Sequence, residues 1–238
     1  MTQPRRRVIT AALAAVAGGL ALAACTPGPA ASGVRHAGHS VSARVSANKA
    51  TIDQFTAALG AAPKTFAVTY RTTGAAPVTV RYAVRPPADR IFRTSPGTEI
   101  VASARGEYSC TPPARPRSRW TCQKLGVISS ALENGLLDLY TPAHWAAFLK
   151  GYSLAGSFAG VKVTTSRRTV NGFRLRCADF RATGVAGTSM VCMTAAGIPG
   201  YIQLAGSTTG FAITAYSASP AASLFDLPPG ATVTAPRK

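Results

Sequence analysis

Few side chains here could carry covalent or acid-base chemistry: the sequence holds five cysteines, three histidines and eight carboxylates. Cys110 and Cys122, and Cys177 and Cys192, form two local pairs, each bracketing turn-forming sequence. Four cysteines allow three connectivities, and proximity favours these two links. Zinc is the poorer use of the thiols, because no Cys-x-x-Cys occurs and two of the histidines, His36 and His39, stand far off in the sequence. Hydrolysis needs converging histidine, carboxylate and nucleophile. Beyond residue 47 there is one histidine, His144, and Glu133 and Asp138 both point away from an apolar stripe. Neither Gly-x-Ser-x-Gly nor a phosphate-cradling glycine loop is present. The expectation is a protein without a catalytic site, without a metal and without a cofactor.

The fifth cysteine, Cys25, ends a different pattern. Arg5, Arg6 and Arg7 precede an uncharged run from Val8 to Ala24, which stops at small residues directly before the thiol. A basic start, a short apolar stretch and small residues make a secretory signal; a permanent span needs about 20 apolar residues. Leu22-Ala23-Ala24-Cys25 resembles the bacterial lipoprotein signal, which implies cleavage before Cys25 and a diacylglycerol on its sulfur. An ordinary leader with an incidental cysteine is the alternative. Two acyl chains suffice for stable anchoring, at about 0.8 kcal/mol per buried methylene. The expected location is the cell membrane, lipid-anchored on the extracytoplasmic face, where disulfides persist. Arg6-Arg7-Val8-Ile9 leaves the general and twin-arginine export routes both open.

The formal charge is +18, from 26 basic and 8 acidic residues. Three of the basic residues lie in residues 1–24, so the mature chain would keep 23 against 8, or +15. Such a balance attracts anionic lipid headgroups, acidic glycans or nucleic acid; outside the cytoplasm nucleic acid is not expected. A solvated basic surface that keeps the protein soluble is the plainer reading.

Three segments follow: residues 1–24 as signal peptide, 25–47 as lipidated cysteine and Pro/Gly/Ala/Ser-rich disordered tether, and 48–238 as a single domain. Ile52, Phe55 and Leu59 give the domain a short amphipathic helix. From Phe66 the period becomes two: Phe66, Val68 and Tyr70, then Val78, Val80, Tyr82 and Val84, alternate with polar or small residues. Helical spacing returns at Ile128, Leu132, Leu136 and Leu139, and again after Thr141-Pro142 with Trp145, Phe148 and Leu149. Val170-Asn171-Gly172-Phe173 is a two-residue hairpin turn, since Asn and Gly both accept positive φ. Counting outward pairs Arg167 with Arg176 and Thr169 with Arg174, a basic patch on one face. The other face carries Val170, Phe173, Leu175 and Cys177, but also Arg168. Either the register slips or a cation faces the inner side. The ending Phe225 to Val233, with Pro228-Pro229-Gly230, is expected to be irregular.

The order of tether, helix, strands, two helices, strands and a closing Asp226-Leu227-Pro228-Pro229-Gly230-Ala231-Thr232-Val233 resembles the LolA and LppX/LprG-like lipoproteins over roughly residues 48–234. The resemblance implies an α+β fold: a strongly curved antiparallel sheet, a half-barrel, with an N-terminal helix and two mid-chain helices packed in its concavity around an apolar pocket. It further implies a bound lipid or glycolipid, with Phe66, Val68, Tyr70, Val80, Tyr82, Leu132, Leu136, Trp145, Phe148, Phe173 and Leu175 as candidate lining. Ordinary core packing is the competing role for each of them. The alternative function is a recognition module without lipid cargo, in which Arg167, Arg174 and Arg176 contact an acidic glycan or an envelope protein. A hydrolase centred on His144 comes third.

Overall fold

In a computed structural model of the chain, residues 34–95, 97–115, 118–126, 137–156 and 160–235 are described. The leader, Cys25 and two candidate lining residues, Leu132 and Leu136, lie outside them, as does most of the first mid-chain helix expected from Ile128 to Leu139.

The strands are β1 (Phe66–Thr72), β2 (Thr79–Arg85), β3 (Asp89–Ser95), β4 (Glu99–Ser103), β5 (Gly106–Thr111), β6 (Thr121–Lys124), β7 (Val161–Val170), β8 (Phe173–Ala182), β9 (Ser189–Met193), β10 (Pro199–Gln203), β11 (Gly210–Ser217) and β12 (Thr232–Thr234). They form one 12-stranded sheet in the order β12-β6-β5-β4-β3-β2-β1-β11-β10-β9-β8-β7. Every neighbouring pair is antiparallel except β12 with β6, which is parallel. The end strands β12 and β7 do not meet, so the sheet is curved and unclosed. The curvature is steep at the β7 end: Asn171 Nδ2, at the tip of the β7–β8 hairpin, donates to the carbonyl of Ile213 on β11, 2.8 Å away.

Residues directly opposite in a ladder share a face, which sorts the side chains. Phe66, Val68 and Tyr70 pair with Val84, Tyr82 and Val80, and Tyr82 in turn with Phe92. This face carries the helices. Helix α1 (Val34–Gly60) buries Ile52, Phe55 and Leu59 against it, and α2 (Pro142–Gly156) buries Trp145 and Leu149. Thr141 caps α2: its Oγ1 accepts from the His144 N–H at 3.1 Å while Pro142 occupies the first helical position. A 3₁₀ turn, Asp138–Tyr140, leads into the cap, and Trp145 Nε1 donates to the Leu139 carbonyl at 2.7 Å.

The opposite face has a smaller core. Ala67, Ala83, Ile91 and Val101 are buried beneath Phe225, which a 3₁₀ turn (Ala222–Phe225) delivers from the C-terminal segment. That segment is more regular than its prolines suggest. After Pro228-Pro229-Gly230 the chain re-enters the sheet as β12, held by a partner strand about a hundred residues earlier that local propensity does not report. The first helix also departs from expectation, starting at Val34 rather than near residue 48. Pro27 and Pro29 are the last prolines before Pro63, and the Ala/Ser/Val/Arg-rich stretch between them holds only Gly33 and Gly38 as breakers ahead of residue 48, so little in the sequence stops the helix from extending backward.

Both disulfides join directly opposed residues of neighbouring strands, Cys110 on β5 with Cys122 on β6, and Cys177 on β8 with Cys192 on β9. All four sulfurs belong to fully buried residues.

Candidate functional site: an arginine cleft beside the edge hairpin

The hairpin turn fixes the site. Asn171 and Gly172 hold φ of +49° and +83°, and the register that follows pairs Val170 with Phe173, Thr169 with Arg174 and Arg167 with Arg176. Opposed residues share a face, so Arg167, Thr169, Arg174 and Arg176 lie with Val161, Val163, Ala178 and Phe180. This is the helix-bearing face. Asn48 of α1 grips it, donating from Nδ2 to the Val161 carbonyl (2.7 Å) and accepting the Val163 N–H on Oδ1 (3.1 Å). The Arg176 guanidinium carbon sits 4.9 Å from the centre of the buried Phe55 ring, a cation–π contact that orients the charge.

As candidate lining, Phe173 and Leu175 are expected on the inner side, opposite Arg174 and Arg176. The structure reverses that assignment for the hairpin. Phe173 and Leu175 share the opposite face with Cys177 and Arg168; Leu175 is buried there by Gly200, whose missing Cβ would stand 2.4 Å from Leu175 Cδ2. Arg168 among apolar residues is the clue in the sequence, and past Cys177 the alternation puts Ala178 and Phe180 on the side of the arginines.

The cations border a cleft of about 540 Å³, with Ala58 of α1 and Met193, Thr194 and Ala195 on one wall and Arg167, Arg168, Thr169, Arg174, Leu175 and Arg176 on the other. The four arginines are exposed, and none has an ion-pair partner among the described residues. Arg167, Arg174 and Arg176, which share one face, repel one another and are suited to share a bound anion, each offering a planar fork of N–H donors, while Arg168 borders the cleft from the opposite face. Arg168 also borders a second cleft of about 260 Å³ on the other face, with Lys162, Thr164, Asp179 and Arg181. Positive charge therefore continues around the free edge of β7.

The other candidate lining residues, where described, pack on each other. Phe66 and Tyr82 have ring centroids 5.9 Å apart, Tyr70 and Phe211 4.7 Å, and Trp145 and Phe148 5.2 Å. Tyr140 inserts between Tyr70 and Phe92, and Val68 and Val80 are buried in the same cluster. Of the described members of the candidate lining set, Leu175 alone borders either of these two clefts. Burial holds the Tyr70 and Tyr140 hydroxyls above the usual tyrosine range, and it pushes Tyr82 up to about 12 against the pull of Arg90. None of the three ionises near neutral pH. The Tyr70 hydroxyl is buried without a hydrogen-bond partner among the described residues.

His144 lies in the first turn of α2, edge-on to Trp145 at 5.3 Å, and no described cluster of three His, Cys, Asp or Glu side chains could hold a metal. Glu99 is the fully buried charged residue of the described core. Its Oε2 accepts from Arg93 Nε (2.7 Å) and Nη2 (2.6 Å), while Oε1 has no partner among the described residues. Burial raises its pKa and the Arg93 charge and hydrogen bonds oppose that rise. No sequence signal marked Glu99, because its burial depends on the far side of the sheet being covered.

No protein-family model matches the chain, and no curated protein matches it by sequence. Among solved structures it is similar to MucB, at 14% identity over 76% of this chain and 64% of that one, with a TM-score of 0.44. It is also similar to MucB in complex with MucA(peri), at 13% identity, 74% and 60% coverage and a TM-score of 0.42. A structure of PNGF-II matches at 10% identity, 72% and 31% coverage and 0.29. The chain thus spans about three-fifths of the MucB chains, and the likeness is one of chain path.

Proposed function

We propose that this chain is a non-catalytic, extracytoplasmic binding module, anchored through lipid on Cys25, that holds the anionic groups of a ligand in the arginine cleft of the β7–β8 hairpin. The observation that carries this reading is the set of three arginines, Arg167, Arg174 and Arg176, on one face of the hairpin, with Arg168 at the rim of the same 540 Å³ cleft and no carboxylate in its lining to neutralise the charge. Buried or well-packed arginines normally find partners within the protein; exposed ones converging on a concavity gain theirs from outside. The excess of 15 positive charges on the chain cleaved before Cys25 draws the same class of ligand from a distance.

The test is a binding titration of the full chain with a sulfated oligosaccharide, a neutral one of equal length, and anionic vesicles. Arg167→Ala with Arg176→Ala should weaken binding of the sulfated probe by about tenfold or more, and the affinity of the unaltered chain should fall with salt. Equal binding by the double variant removes the cleft from the account.

Carriage of a lipid or glycolipid is the second reading. It is favoured by the continuous apolar helix-bearing face from Phe66 to Ile213 and by the unpartnered Tyr70 hydroxyl within it. It requires a chain-shaped volume among rings that already touch. Near-stoichiometric lipid in the purified protein would bring this reading forward, and a lipid-free protein that binds the sulfated probe would set it aside.

A further inference from the structure

Building on the arginine cleft, we propose that its ligand is an extended acidic polypeptide segment, which adds to the free edge of β7 as a further strand and lays alternate carboxylates against Arg167, Arg174 and Arg176.

β7 is an end of the sheet. Val170 and Phe173 close a two-residue turn, so they exchange hydrogen bonds with each other, and by the alternation of an antiparallel ladder the even-numbered residues of β7 address β8 while the odd-numbered ones point outward. Asn48 marks the same side independently: its amide donates to Val161 O and accepts from Val163 N. One side-chain amide thereby supplies what one residue of an added strand would supply. Beyond it the cover stops. Thr165, Arg167 and Thr169 are exposed, and among the described residues their outward backbone groups have no partner. Natural sheets usually blunt such an edge with a bulge, a proline or inward charge. Ten-residue β7 pairs with β8 along its whole length without a register shift.

Charge chooses the occupant. Side chains of an added strand that stand opposite Thr165, Arg167 and Thr169 would share their face, which is the face of the arginine cleft. Aspartate or glutamate at every second position would then meet Arg167 and, across β7, Arg174 and Arg176. Backbone pairing gives affinity and the alternate side chains give selectivity, as in other strand-addition complexes.

The experiment titrates the full chain in detergent with a nine-residue peptide alternating Asp and Thr, with the same peptide N-methylated at three successive central amides, and with a sulfated oligosaccharide. Methylation leaves neither peptide edge able to pair but keeps its charge. The expected result is that methylation of the peptide, or Thr165→Pro in the protein, lowers peptide affinity about tenfold or more and leaves oligosaccharide binding unchanged. Proline at 165 removes an outward N–H and spares the ladder with β8. Equal binding of the methylated peptide to the unaltered chain overturns strand addition and leaves the cleft standing. Binding of the oligosaccharide without the parent peptide overturns it in favour of an acidic polymer. No binding of any probe overturns both this inference and the reading it rests on.

Discussion

Gly197 offers the sharpest test of how α1 is seated. It lies in the β9–β10 turn at φ +75°, and a Cβ added there would fall 2.3 Å from the carbonyl oxygen of Ala58 and 3.4 Å from Ala62 Cβ, both on or just past the last turn of α1. Two costs would add in Gly197→Ala. A side chain in the left-handed region costs about 1–2 kcal/mol, and a contact more than 1 Å too short against backbone, which cannot rotate away, adds about 1–3 kcal/mol. Gly206 provides the control: its φ is +74°, but nothing lies within 4 Å of the added Cβ. Gly206→Ala should therefore show the conformational cost alone. Urea denaturation followed by far-ultraviolet circular dichroism, with the two variants compared at equal slope, should give losses of about 2–5 and about 1–2 kcal/mol respectively. The gap corresponds to several degrees in Tm for a domain of this size. If Gly197→Ala costs no more than Gly206→Ala, the C-terminal turn of α1 does not rest on the β9–β10 turn, and Ala58 loses its place in the cleft wall.

Replacing either disulfide pair by serines should destabilise the domain by about 3 kcal/mol, from loops of 12 and 15 residues, measured by the same denaturation; no change in midpoint would show that the bridge does not constrain the unfolded chain. Glu99 titrates with a folded-state pKa above its ordinary value of 4.5. The folded state therefore binds its proton more tightly than the unfolded one, and the stability it contributes is complete below about pH 4.5 and declines as pH rises through the folded pKa. Glu99→Gln should flatten that slope in denaturation curves taken across the acid range, and a slope left unchanged would assign it to other groups. Cys25→Ala should release the protein from membranes on fractionation; retention as a processed, membrane-bound form would contradict acylation.

Much of the architecture is legible where a local rule decides it. Asn171-Gly172 sets a two-residue turn and with it every pair from Val170–Phe173 to Arg167–Arg176. Thr141-Pro142 marks the start of α2 because a cap and a fixed φ act within one turn. The disulfides follow from proximity across adjacent hairpin strands. What local rules leave open is sign and partner. Alternation separates Arg174 and Arg176 from Phe173 and Leu175 but does not say which set faces the helices, since the hairpin tip buries Leu175 on the outer side while its arginines reach Phe55 on the inner. The burial of Ala67, Ala83 and Glu99 is likewise invisible in a short window: the first two depend on Phe225, which approaches from more than a hundred residues away. The arginines were visible as a patch; their meeting with α1 and the β9–β10 turn in a cleft was not, because three segments distant in sequence build it.

Arginine footprinting tests the binding cleft most directly. The full chain would be treated with phenylglyoxal in the presence and absence of a sulfated oligosaccharide, and adducts located by peptide mapping. Protection of Arg167, Arg168, Arg174 and Arg176 is expected, while the exposed Arg71, Arg105 and Arg119, outside the cleft, react as before. Equal protection of all seven, or protection confined to the last three, would contradict a cleft that holds anions.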